Sequence, residues 1–134
     1  VESGATIQYG GERAFYAPAP DRIQLPERVK FKSADDFYST AIHELGHWTG
    51  HESRLNRAFG NKFGTNAYAF EELVAEMSCA ITKARIGLEG EVTNHASYLE
   101  AWLKVLKKNP GHLMQAASAA SKASDYLVKE NNHE

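Results

Sequence analysis

Hydrophobic residues alternate with polar ones in three short segments near the start of the chain, and further along they recur at helical spacing. The three segments are ATIQY at 5–9, RAFYA at 13–17 and DRIQL at 21–25, and glycine or proline residues separate them. Short segments of alternating hydrophobic and polar residues, bounded by glycine or proline, are typical of β-strands. We therefore predict a small antiparallel sheet over residues 5–25.

After this region the hydrophobic period changes from two to about 3.6, which predicts helices. Ser33, with Asp36 three residues later, forms a capping-box-like start for the first helix, and Gly50 ends it. The other helices are predicted at about 67–85, from residue 93 or 94 onwards, and from the Asn109-Pro110 pair to about 129. The pattern predicts an α+β fold with a small sheet beside about four helices.

Composition narrows the classes of protein that the chain can belong to. Its 134 residues are 43% hydrophobic, which suits one domain spanning 1–134. The net charge of −2 gives no basic surplus for binding nucleic acid phosphates. Cys79 is the single cysteine, so the chain cannot form an internal disulfide. No apolar run approaches the ~20 residues that a membrane-spanning helix needs. The first residue is not Met and no signal peptide is visible. We therefore interpret the chain as the C-terminal part of a larger cytoplasmic protein without a membrane role.

The string HELGH at residues 43–47 lies within the first predicted helix and contains candidate metal ligands. His43 and His47 are four residues apart, so their imidazoles lie one turn above each other and can converge on one ion. Glu44 projects about 100° around the helix from His43, beside the ion rather than bound to it. A carboxylate there can take a proton from water that the metal has acidified. The pattern predicts a zinc site with Glu44 as the general base.

A catalytic zinc site normally has a third protein ligand. The metzincin pattern would require a histidine ten positions after His43, but that position is Ser53, so this class is excluded. In the second helix, FEELVAEM places Glu72 and Glu76 on one face, whereas Glu71 points about 100° away. We predict that Glu72 is the ligand and that Glu76 hydrogen-bonds the outer nitrogen of a ligand imidazole. The spacing is equally compatible with an exchange of these two roles.

Other polar residues compete for a place beside the metal. His95, at the start of the third predicted helix, is a candidate donor to the oxyanion of the scissile carbonyl, although a histidine there also commonly bonds the helix backbone. Tyr68 is a second candidate of the same kind. His51 follows His47 by one turn but lies at or beyond the helix end, so we interpret it as a loop residue.

Several separated motifs resemble one family. HELGHWTGHESRLNR, YAFEELVAEM and NHASYLEAWLKVLKKNPGHLMQAASAASKASDYL look like the C-terminal zincin-like metallopeptidase domain of ArdC-type antirestriction proteins and related plasmid TraC-type primases, and FYAPAPDRIQLP resembles its entry strands. The resemblance implies a zincin fold. It also implies that single-stranded DNA is bound only through an upstream domain that this chain lacks. The glutamate-zincin pattern has Glu-x-x-x-Asp on the second helix, whereas this chain has Glu76, one methylene longer, in place of the aspartate.

The sequence therefore predicts a metallopeptidase domain in which His43, His47 and Glu72 hold one Zn²⁺ and a protein or peptide is hydrolysed. An edge strand near Phe15–Pro18 could pair with an extended substrate. The alternative is a non-catalytic interaction module of an antirestriction protein, which keeps a structural metal and binds a restriction nuclease or DNA. Glu44 separates the two, because only an enzyme needs it beside an ion with an open coordination position.

Overall fold

The computed structural model describes residues 4–57, 66–88 and 111–131. The strands are β1 (Thr6–Tyr9), β2 (Phe15–Ala17) and β3 (Arg22–Leu25). A short 3-10 helix at Arg28–Lys30 precedes the helices α1 (Ala34–Trp48), α2 (Asn66–Arg85) and α3 (Gly111–Asn131). One sheet beside helices is the α+β architecture that the sequence predicts. The helix predicted from residue 93 or 94 onwards lies outside the described residues.

The three strands form one mixed sheet in the order β1-β3-β2. β2 pairs with β3 antiparallel, as predicted. β1 pairs with β3 in parallel, so the prediction of an antiparallel sheet is wrong for β1 and β3. The order follows from burial. Ile23 and Leu25 of β3 are fully buried, whereas β1 and β2 contain no buried residue, so β3 takes the central position.

Two hydrophobic clusters hold the helices around this sheet. The first joins β3, α1 and α3, through Ile23, Leu25, Leu45, Trp48 and Leu127. The second joins α2 and α3, through Ala69, Leu73, Val74, Ala116 and Ala120. Since α1 uses one side for the sheet and α2 uses one side for α3, the remaining polar faces of α1 and α2 are directed at each other.

The N-terminus of α1 has the cap that the sequence predicts. Ser33 lies in the extended region, and its hydroxyl accepts a hydrogen bond from the backbone N–H of Asp36 at 3.1 Å. Such a bond satisfies one of the donors that the first helical turn leaves without an intrahelical partner. The cap fixes where α1 begins, roughly two to four turns before His43 and His47.

A polar cluster ties the β2–β3 hairpin to the end of α1. The Arg54 guanidinium lies 3.9 Å from the centre of the Trp48 ring, and its Nε donates to the Trp48 carbonyl at 2.7 Å. The same guanidinium pairs with Asp21, whose backbone is left-handed (φ 52°). Tyr16 donates its hydroxyl proton to Asp21 at 2.6 Å. The hairpin is thus attached to the turn that follows α1.

Helices α1 and α2 run antiparallel and approach closely at Gly46. Asp35 near the start of α1 pairs with Lys83 near the end of α2, whereas His47 near the end of α1 meets Glu71 near the start of α2. A Cβ on Gly46 would lie 2.6 Å from the Ser78 hydroxyl oxygen and 3.3 Å from the Ala75 Cα. The absence of a side chain at Gly46 therefore sets how near the two helices come.

We expect Gly46→Ala to destabilise the domain by about 1–3 kcal/mol, because the added methyl group overpacks the contact between the helices. Within a helix that has room for it, the same change would stabilise by roughly 0.5–1 kcal/mol. Gly111→Ala, at the exposed first residue of α3, provides the control. Urea unfolding measures both variants. A Gly46→Ala variant as stable as the parent chain would contradict this account of the helix contact.

Within the described part of the chain, no helix combines the length and the apolar character that crossing a bilayer requires.

Candidate metal centre

The two histidines of HELGH lie on the face of α1 that is directed at α2. Their ring centroids are 4.9 Å apart and their planes meet at 81°. The Nε2 atoms of His43 and His47 each lie 3.2 Å from an oxygen of the Glu72 carboxylate. Two imidazole nitrogens and one carboxylate thus converge on one place, from helical positions that the rigid backbones of α1 and α2 fix.

The outer nitrogens of both imidazoles also face carboxylates. The Nδ1 atom of His43 lies 2.8 Å from Glu76 Oε1, and the Nδ1 atom of His47 lies 2.8 Å from Glu71 Oε2. A proton on Nδ1 can be donated to such a carboxylate, which leaves the Nε2 lone pair free for an ion. With an ion bound, this arrangement would leave two neutral imidazoles, each with its proton on Nδ1 and its Nε2 directed at the ion.

Glu44 lies beside this group and is buried, with 7% of its surface exposed. One ligand atom each from His43, Glu44 and His47 lie within 4.8 Å of one another. Burial raises the pKa of Glu44, the two histidines act in the opposite direction, and the neighbouring carboxylates Glu72 and Glu76 raise it further. A buried carboxylate with a raised pKa next to two imidazoles is a group that can exchange protons nearer neutral pH.

The charges in the cluster are arranged to hold a cation. Burial alone lowers the pKa of His43, but hydrogen bonds to Glu72 and Glu76 raise it to about 10. The pKa of His47 is raised to about 9, because Glu71 and Glu72 outweigh its burial. The histidines in turn hold the pKa of Glu72 well below its usual range, against the effect of burial. Carboxylates around two nitrogen donors fit a divalent ion by both charge and donor type.

Sequence reasoning missed two residues of this cluster, Glu71 and Arg57. Glu71 is almost fully buried, and Arg57 donates to both of its oxygens, from Nε at 2.9 Å and from Nη2 at 3.1 Å. The expectation that Glu71 points away from the site is wrong. The two histidines meet a wide face of α2, on which Glu71 contacts His47 and Glu76 contacts His43. The neighbouring pair Glu71-Glu72, opposite histidines one turn apart, is the sequence signal that could have revealed it.

The remaining candidates have different surroundings. Tyr68 lies one turn before Glu72 on α2 and shares a hydrogen bond with it, and burial followed by the Glu72 charge raises the pKa of its phenol. His51 lies in the turn after α1, where its Nδ1 is 2.8 Å from the Ser53 hydroxyl oxygen, as expected for a loop residue. His95, the predicted oxyanion donor, lies outside the described residues.

Comparison with known proteins identifies the family. Residues 1–119 match the family model described as Zincin-like metallopeptidase. The chain belongs to the zincin-like metallopeptidase family. This membership confirms the resemblance and the zincin-like fold that the sequence implies.

Relatives of this zincin-like domain include a DNA primase TraC of Escherichia coli, which is 47% identical over 127 residues, or 94% of this chain and 9% of the primase. Protein y4eC of Sinorhizobium fredii is 36% identical over 125 residues, or 92% of this chain and 41% of that protein. The zincin-like domain thus spans about a tenth of the primase and less than half of y4eC.

Solved structures resemble the zincin-like domain as well. A crystal structure of the antirestriction protein ArdC from plasmid R388 with Mn(II) bound is 40% identical, with a TM-score of 0.81. The match covers 96% of this chain and 48% of the ArdC chain. A metal-free structure of ArdC matches with a TM-score of 0.78. The zincin-like domain therefore corresponds to about half of a protein that has been crystallised both with and without a divalent ion.

Proposed function

We propose that this chain is the zinc-dependent peptidase domain of an antirestriction-type protein. The observation that carries the proposal is the convergence of His43 Nε2, His47 Nε2 and the Glu72 carboxylate, with Glu44 buried beside them. Two imidazoles and one carboxylate form a donor set of catalytic zinc sites, which keep a further position for water or substrate. The same donors bind zinc more tightly than manganese by the general order of affinity. The ArdC relative with Mn(II) supports a divalent ion at such a site.

A zinc ion at this place would supply polarisation of the scissile carbonyl and acidification of water. In our proposal Glu44 accepts the proton of the attacking water on a carboxylate oxygen and then donates it to the departing amine. Burial raises the pKa of Glu44. This helps both steps, since a general base and acid is most effective when its pKa is near the working pH. Glu44 therefore has the proton-transfer role and Glu72 the ligand role.

The carboxylates behind the histidines orient the donor set. Glu76 and Glu71 each lie 2.8 Å from an imidazole Nδ1 and would keep the proton there. A donor for the developing oxyanion completes the chemistry, and we keep His95 as the candidate from the sequence. Tyr68, whose hydroxyl lies beside Glu72, is the candidate among the described residues.

The sheet supports an extended protein or peptide substrate. In the described sheet, β2 pairs with β3 alone, so its other edge can add a peptide strand by backbone hydrogen bonds. The chain carries a net charge of −2, which does not favour binding to phosphates. We therefore propose a protein or peptide as the partner of this domain, and single-stranded DNA as a partner only of an upstream domain.

Metal content and hydrolysis test this function together. We expect the domain purified without chelators to carry close to one equivalent of zinc per chain, measured by elemental analysis. We also expect it to cleave peptides from a fluorescence-quenched library, to lose this activity after dialysis against a chelator, and to regain it on addition of zinc. Less than a tenth of an equivalent of any divalent ion, with no uptake of added zinc, would contradict the metal site.

The second candidate function is a non-catalytic module that binds a nuclease or DNA, and the antirestriction name of the 40% identical relative favours keeping it. Its expected result is different. One equivalent of metal with no cleavage of any library peptide, and unchanged antirestriction by a Glu44→Gln form of the full-length protein, would support the binding module over the peptidase.

A further inference from the structure

Arg57 is a largely buried cation that lies behind one of the candidate metal ligands. Its side chain is 10% exposed, and its guanidinium donates to the Gly46 carbonyl at 2.6 Å and to the Thr49 hydroxyl at 3.0 Å. Its own backbone N–H donates to the Gly50 carbonyl at 2.8 Å. These bonds fold the turn after α1 back onto the last turn of the helix, and they direct the guanidinium at α2.

On α2 the guanidinium meets Glu71 through two donors. Arg57 Nε donates to Oε1 at 2.9 Å and Nη2 donates to Oε2 at 3.1 Å. Glu71 Oε2 is also the atom that lies 2.8 Å from His47 Nδ1. Arg57, Glu71 and His47 therefore form one continuous chain of contacts that ends at a candidate ligand.

The cost of burying a charge explains why Arg57 fixes Glu71 and why Glu71 in turn fixes His47. A buried carboxylate without a charge partner is costly, and a two-point guanidinium contact both neutralises it and fixes its plane. With its plane fixed, Glu71 presents Oε2 to the His47 ring from one side. A ring held at Nδ1 cannot rotate freely, so its Nε2 stays directed at Glu72.

We propose that Arg57 is a positioning residue for the metal ligand His47 and acts through Glu71. The inference rests on the proposed metal site and adds to it a link between that site and the turn after α1. It predicts that Arg57 affects metal affinity and ligand geometry without touching the ion. A purely structural role, in which Arg57 only binds the carbonyl and hydroxyl groups at the end of α1, would affect stability alone.

The test compares three changes at this contact with a matched control. Arg57→Gln removes the charge, Arg57→Lys keeps it but loses the two-point contact, and Glu71→Gln keeps the shape while placing an amide N–H₂ against Arg57 donors. Arg54→Gln is the control, since Arg54 lies in the same turn and also binds a carboxylate and a backbone carbonyl, those of Asp21 and Trp48. The probe is Co(II), measured by competition with a chelator and by its visible absorption spectrum.

We expect Arg57→Gln and Glu71→Gln to weaken Co(II) binding by about 10–100-fold and to alter the absorption bands. Arg57→Lys should recover part of the affinity, and Arg54→Gln should stay within about twofold of the parent chain even where its melting temperature falls. Equal Co(II) affinities and spectra for Arg57→Gln and Arg54→Gln would overturn the inference while leaving the metal site intact. If Arg57→Gln does not fold, the comparison of Arg57→Lys with Arg54→Gln decides in the same way, because Arg57→Lys also loses the two-point contact with Glu71. Failure of the parent chain itself to bind Co(II) would overturn the proposed site and the inference with it.

Discussion

Glutamine in place of Glu44 should lower peptide hydrolysis by about 10²–10⁴-fold and leave the metal in place. Glutamine has nearly the same shape but cannot accept the proton of the attacking water. Because burial already raises the pKa of Glu44, a neutral side chain at this position should not destabilise the fold. Initial rates on a cleavable peptide, together with elemental analysis, measure the two effects separately.

The matched control for this variant is Glu52→Gln, which makes the same chemical change at an exposed position in the turn after α1. It should retain full activity and full metal content. Loss of the metal from Glu44→Gln would mean that Glu44 binds the ion, and the division of roles between Glu44 and Glu72 would be wrong. Unchanged hydrolysis in Glu44→Gln would remove Glu44 from the chemistry altogether.

The second large effect is expected at His47. His47→Ala removes one of three candidate ligands. Loss of a residue that only hydrogen-bonds a ligand weakens metal binding by up to about 100-fold, so loss of His47 itself should weaken it by more. It also leaves Glu71 without its contact to the imidazole. A hundredfold excess of ion over its dissociation constant stabilises a folded protein by about 2.7 kcal/mol. Added zinc should therefore raise the melting temperature of the parent chain but not that of the variant.

His51→Ala is the control, because His51 follows one turn later and its Nδ1 lies against Ser53 rather than against a carboxylate of α2. This variant should bind zinc as the parent chain does, and zinc should raise its melting temperature equally. The assignment of His47 would fail if both histidine variants kept the same zinc affinity, as measured by competition with a chelator.

The features that depend on local sequence could be predicted. The cap at Ser33, the spacing of His43 and His47 and the shared face of Glu72 and Glu76 all follow from the geometry of a single helix. The structure places Glu72 against both Nε2 atoms and Glu76 against His43. Helical period sets these relations before any tertiary contact forms, so no knowledge of packing was needed.

The features that depend on packing between distant segments could not be predicted. Glu71 reaches His47 across 24 positions of sequence, because α1 and α2 cross where Gly46 allows close approach. Arg57 reaches Glu71 only because the turn after α1 folds back. The parallel pairing of β1 with β3 is of the same kind, since alternation in a strand fixes its faces but not its partner.

The contact between Arg54 and Asp21 has a consequence for how the domain responds to acid. Burial raises the pKa of Asp21, but hydrogen bonds from Arg54 and Tyr16 outweigh it and hold the pKa below 3.8. A carboxylate whose pKa falls on folding stabilises the protein above its unfolded pKa, and this contribution is lost as the pH drops through the lower folded value. Strong acid therefore removes the charge that ties the β2–β3 hairpin to the end of α1. The hydrophobic contact between the sheet and that helix remains, so we expect strong acid to loosen the hairpin from the end of α1.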